Sequence, residues 1–164
     1  MFACLFAMML AAAPVAEFRF SPDFDLKKLG SQTTELAQKE DFCRVTAKKP
    51  EKFTGIRLPL DLTFQPDLAL TFEYRVDAPE NCKVAAVAVS VFTPGSNRSA
   101  GTMWLKPAKE WTKGKVPFAK LKTAPGTKLN AMTIYNRLAN ESPAAVTSLE
   151  IRNIRIDRAA EPAK

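Results

Sequence analysis

An alternation of period two runs through most of this chain beyond residue 50, and it restricts the fold more than any other feature. Leu70, Phe72, Tyr74 and Val76 alternate with Thr71, Glu73 and Arg75, the signature of a strand buried on one face. Further strands are expected at residues 53–62, 84–92, 100–105, 115–118, 129–135 and 146–156. Turn chemistry separates them at residues 77–81, 94–97, 125–126 and 140–143, where Pro or Gly stands with Asn, Asp or Ser or, at 125–126, as Pro-Gly alone. Seven or eight strands with no amphipathic helix between them predict an all-β, antiparallel β-sandwich. Residues 17–42 read as irregular, with one helical turn around residues 33–38.

The same rhythm sorts the faces. Leu70/Phe72/Tyr74, Val87/Val89/Val91, Met132/Ile134 and Leu149/Ile151 are expected to build the core. Glu73, Arg75, Ser90, Phe92, Thr133, Tyr135, Glu150 and Arg152 point the other way. Pro59 confines its strand to an edge or a bulge, because it cannot donate to a ladder. Leu149/Ile151 and Ile154/Ile156 fall on opposite parities, which predicts a bulge near Arg152-Asn153.

Composition excludes whole classes of chemistry. The 164 residues contain no His, which removes Ser-His-Asp and Cys-His nucleophilic sites, His-ligated zinc and any imidazole shuttle. There is no P-loop and no Gly-rich dinucleotide fingerprint, and Gly numbers six. Residues 2–16 are uncharged and apolar and end in small residues, too few for a comfortable membrane span. They read as a signal peptide cut after Ala16, with a buried N-terminal strand or an anchor as alternatives. The expected organisation is a leader at 1–16, one sandwich domain at 17–157 and a frayed tail at 158–164, in a secreted or periplasmic protein. Loss of Cys4 with the leader would leave Cys43 and Cys82, either bridged across about 40 residues, worth roughly 3–4 kcal/mol, or free and buried.

The segment at 110–121 (EWTKGKVPFAKL), with LNAMTIY at 129–135 and LEIRNIRI at 149–156, resembles the galactose-binding-like jelly rolls. That superfamily includes many carbohydrate-binding modules, and the likeness covers residues 53–157. It implies a jelly-roll sandwich with Trp111 packed into the core. It also raises a structural calcium, for which Asp23, Asp25 and Asp157 could offer oxygens; they lack any fixed ligand spacing, so no metal or cofactor is expected. Such domains commonly end in Ile-Asp-Asn-Ile, and here Arg152 replaces the acid, so no role of that acid carries over.

The candidate binding residues follow from charge and aromaticity. Seven lysines lie between Lys106 and Lys128 against the single acid Glu110, accounting for most of the net charge of +7. Aromatic planes with cations suit sugar rings bearing carboxylates or sulfates, and less readily a nucleic-acid backbone. Tyr135, Asn136 and Arg137 gather a ring, an amide and a guanidinium at a strand end, and Trp104, Arg75, Lys106 and Lys113 join them. The reading is an exported, non-catalytic domain that binds carbohydrate, with an anionic polysaccharide as one ligand class. One rival is a domain that binds another protein and no small ligand. The other is a small hydrolase acting through Glu73 and Glu150, which an Arg two positions from each would oppose by lowering carboxylate pKa values.

Overall fold

The computed structural model describes residues 13–20, 25–29 and 33–158. Most of the leader and residues 159–164 of the tail lie outside that description. Ten strands occur among the described residues: β1 (Ala16–Phe18), β2 (Thr34–Lys39), β3 (Phe42–Ala47), β4 (Phe53–Thr63), β5 (Leu68–Asp77), β6 (Val84–Phe92), β7 (Ser99–Leu105), β8 (Thr112–Pro117), β9 (Lys128–Leu138) and β10 (Ser148–Arg158). They form two antiparallel sheets. One runs β2-β3-β10-β5-β8, with β1 added to β10, and the other runs β4-β9-β6-β7.

The residues assigned inward by parity are the ones buried between the sheets. Leu70, Val87, Val89, Val91, Met132, Ile134, Leu149, Ile151, Ile154 and Ile156 are completely covered, and Phe72 and Tyr74 nearly so. The core continues under the β8 side, where Phe64 and Phe118 stack with centroids 5.5 Å apart and planes 14° off parallel. β10 keeps both of its apolar pairs inside by shifting register against β5 between Arg152 and Arg155. Asn153 absorbs the extra residue at φ 53, a left-handed conformation that Asn tolerates better than most residues. β4 lies at a sheet edge and shifts register between Pro59 and Leu62, so Pro59 meets both of its constraints.

Two expectations fail here. The described parts of residues 17–42 are not all irregular: β1 pairs with β10, and β2 forms a hairpin with β3 through Glu40 at φ 34. Cys43, Val45 and Ala47 face the core while Arg44 and Thr46 face out, but the charged turn between Lys39 and Asp41 hides that alternation. Thr34–Lys39 is therefore a strand, not a helical turn.

The second correction concerns the cysteines. Cys43 and Cys82 are both free. Cys43 points into the core from β3, whereas Cys82 sits in the β5–β6 turn with Sγ 4.0 Å from the Pro143 carbonyl oxygen, so the two thiols occupy separate surroundings. Burial pushes the Cys43 thiol up to about 12. At pH 8 only about one Cys43 in ten thousand is then thiolate. Alkylation of the native protein at that pH, followed by peptide mapping, should label Cys82 and leave Cys43 unmodified until the chain is denatured.

Candidate functional site

The outer face of the four-stranded sheet carries an open aromatic groove. Across it, Gly55 on β4, Tyr135 on β9, Ala88 on β6 and Trp104 on β7 stand in one register row. Gly55 and Ala88 are small, so the flanking rings lie over them, and Ala88 is wholly covered although it faces away from the core. Trp104 and Tyr135 meet edge to face at 6.2 Å, and Phe53 meets Tyr135 in the same way at 5.9 Å. Phe53 and Trp104 remain about half exposed, at 53% and 48%. With Phe92 these rings line a shallow groove of about 540 Å³.

Its polar side comes from β6, β7 and the turn between them. Ser90 and Thr102 share a hydrogen bond of 2.8 Å, Thr102 donates to Ser99, and Asn97 lines the groove beside them. Two guanidinium groups border the face. Arg57 lies 4.7 Å over the Phe92 ring, and Arg137 lies 5.5 Å over Trp104 and 5.8 Å over Phe53. Neither has a carboxylate partner among the described residues; Arg137 donates to Asn140 Oδ1 at 3.0 Å. The turn that presents Asn140 is fixed in turn by Lys52, whose ammonium donates to the carbonyls of Ala139, Asn140 and Ser142.

The structure divides the sequence-derived candidates. Tyr135 and Trp104 come together in this groove with Phe53 and Phe92, and Arg137 borders it along with Arg57. Asn136 does not. Adjacent to Tyr135 in a strand, it points inward, is completely buried, accepts from the Thr54 amide at 3.1 Å and donates to Thr147 Oγ1 at 3.2 Å. Its amide closes a core network and is unavailable to a ligand.

Arg75 and Lys113 belong to the outer face of the other sheet. Arg75 and Arg44 flank Glu150 from the two neighbouring strands and both bond its carboxylate, which is only 3% exposed. Glu73 is likewise held by Arg152 at 2.8 Å. The Glu73 hydrogen bond, with Asp41 alongside, holds the Arg152 guanidinium still further above its ordinary range. The two carboxylates weighed for hydrolysis thus do lie on adjacent strands, but both are bound by arginine. Trp111 is not core: it lies half-buried over this face, 4.3 Å from Arg152 and 4.9 Å from Arg75, and edge-on to Phe42. Lys106 lies just past the end of β7, with its carbonyl accepting the Tyr74 hydroxyl at 2.6 Å and its side chain exposed. Of the acids considered for calcium, Asp23 lies outside the described residues and Asp157 pairs with Arg155; no group of three ligating side chains occurs among the described residues.

No protein-family model matches the chain, and no curated protein does. Solved structures do. A family 11 carbohydrate-binding module from Clostridium thermocellum, in complex with a β-1,3-1,4-mixed-linked tetrasaccharide, matches with a TM-score of 0.56 at 12% identity, over 93% of this chain and 100% of that one. A CBM4 structure matches with a TM-score of 0.53 at 14% identity, over 81% and 96%. An agarase, AgWH50C, matches with a TM-score of 0.63 at 10% identity over 91% of this chain, which spans only 26% of that enzyme. At such identities the likeness concerns the fold, and the chain has the all-β jelly-roll sandwich that these carbohydrate-binding modules share.

Proposed function

We propose that this domain binds carbohydrate, without catalysis, in the groove on the four-stranded sheet, and that the sugar chain it prefers is acidic. The observation that carries the reading is the group of Trp104, Tyr135 and Phe53, two half-exposed rings flanking a partly buried third beside a hydroxyl-lined floor. Ring faces take the apolar faces of sugars, while Asn97, Ser99 and Thr102 can exchange hydrogen bonds with their hydroxyls. Arg57 stands opposite Thr133 and Arg137 lies four residues further along β9, which separates their backbone positions by about 13 Å along the strand. Neither is neutralised by an acid, so the pair favours carboxylates or sulfates on different sugars of one chain. The non-catalytic part of the reading rests on the groove's lining, which contains no carboxylate. An exported location rests on the apolar segment 2–16; a cut after Ala16 would still leave Glu17 and Phe18 in register with β10.

A shallow site of this kind is expected to hold short oligosaccharides with a Kd on the order of micromolar to millimolar. Titration of a panel of neutral and acidic oligosaccharides into wild type and Trp104→Ala tests the proposal. The variant should bind its best ligand at least about tenfold more weakly while melting near the wild-type temperature, since its ring is half exposed. Equal affinity in the two proteins, or no glycan held by wild type, would remove the groove from sugar binding and leave it as a face for a protein partner.

A further inference from the structure

Six lysines, at 106, 109, 113, 115, 120 and 122, are exposed, and among the described residues none has a carboxylate within ion-pairing distance. Elsewhere in the described chain cations are mostly paired, Arg44, Arg75, Arg152, Arg155 and Arg158 among them. The six are gathered by the path of a single segment. Residues 106–111 leave β7 and cross to the other sheet, fixed by the Tyr74 hydroxyl on the Lys106 carbonyl and by the Val76 amide on the Ala108 carbonyl at 2.7 Å. β8 then runs along the edge of the six-stranded sheet, with Gly114 and Val116 turned inward and Lys113 and Lys115 outward. Phe118 is buried in the core, and Thr123 returns to β7 through a 3.1 Å bond to the Ala100 carbonyl. The lysines therefore lie along one side of the sandwich, on a strip whose β8 portion alone is about 20 Å long.

Protection of a free sheet edge is the ordinary use of such lysines, and Lys113 and Lys115 suffice for it. It does not account for 106, 109, 120 and 122, which lie outside the strand. Nor does internal neutralisation: Lys113 stands opposite Glu73, but Arg152 and Asn153 already hold that carboxylate. A row of like charges costs self-repulsion unless an opposite charge relieves it.

We propose that this strip is a second binding surface, for an extended acidic polysaccharide, working independently of the aromatic groove. The polymer class rests on the proposed function above; the polyanionic character rests on the strip alone. The strip offers no free ring for a nucleobase to stack on, because Phe118 is buried and Trp111 is engaged by Arg75, Arg152 and Phe42.

The test is binding to heparin, a sulfated polysaccharide, measured between 50 and 300 mM salt for wild type, the quadruple variant Lys113→Gln/Lys115→Gln/Lys120→Gln/Lys122→Gln, and Trp104→Ala. All four lysines are exposed, and an unchanged melting temperature checks the fold. The quadruple variant should bind at least about tenfold more weakly at the lowest salt, and its slope of log K against log salt should fall by roughly one per lysine removed. Trp104→Ala should keep the wild-type slope. A wild-type slope in the quadruple variant would overturn the proposal, as would duplex DNA held more tightly than heparin at equal salt. Loss of oligosaccharide titration with the heparin result intact would instead sink only the groove reading.

Discussion

A variant carrying both Arg44→Ala and Arg75→Ala is expected to lose about 3–5 kcal/mol of stability in chemical denaturation, among the largest effects available from two surface-facing side chains. Glu150 lies on the middle strand of the six-stranded sheet, is 3% exposed, and meets an arginine on either neighbour. Removing both leaves a carboxylate under the sheet's outer layer with no cation to offset its lost hydration. Adding Glu150→Leu should restore most of the loss, since an apolar side chain there needs no partner. Oligosaccharide binding in the groove should be unaffected, because the cluster sits on the opposite sheet. A cost below about 1 kcal/mol for the double variant would show that Glu150 reaches water in the folded state.

Gly55→Ala is expected to damage both stability and binding. A Cβ there would fall 2.5 Å from the Ile134 carbonyl oxygen and 2.6 Å from Tyr135 Cα, and closer still to Tyr135 Cβ. The obstruction is mostly backbone, so β4 must withdraw from β9 instead of a side chain swinging clear. Overpacking of this sort costs about 1–3 kcal/mol. Because Tyr135 is the ring displaced, oligosaccharide affinity should fall at least about tenfold. Gly126→Ala is the control: its φ of 81 makes any side chain strained, but nothing lies within 4 Å of the added carbon. That variant should lose about 1 kcal/mol with binding intact. A Gly55→Ala protein that binds normally would show that the Tyr135 ring is not a platform.

Where the chain alternates cleanly, the sequence was a sufficient guide. Val84–Phe92 is a strand over the span its residues suggest, and the parity change after Ile151 located the bulge that Asn153 makes. The N-terminal third was opaque because β1 has three residues and because the turn between β2 and β3 is a run of charges. In the candidate site, Tyr135 is legible in the sequence as an outward ring, whereas Trp104 and Arg137 are legible only as an aromatic and a cationic residue to which the alternation assigns no face. Asn136 was misplaced by treating neighbours in sequence as neighbours in space; the alternation that sends Met132 and Ile134 inward sends position 136 with them. Trp111 was misplaced for a different reason. It lies in a loop, where no periodicity assigns a face, and two arginines on adjacent strands draw it outside. Phe53 and Arg57 were invisible as site residues because their nearness to Trp104 and Phe92 depends on β4 pairing with β9, nearly eighty positions away.

β10 divides one of its edges between two partners, β3 along its first half and β1 along its second. Ala16 is thereby set directly opposite Ile156, with the Val15 amide 2.8 Å from the Ile156 carbonyl oxygen. The polypeptide enters and leaves the sandwich at the same corner. A short linker from Arg158 to Glu17, the first residue left by a cut after Ala16, would close the backbone into a ring with little distortion, and new ends could be cut in the solvent-facing turn at residues 78–83. The same geometry suits the domain to insertion into a surface loop of a larger protein, since both connections would depart side by side.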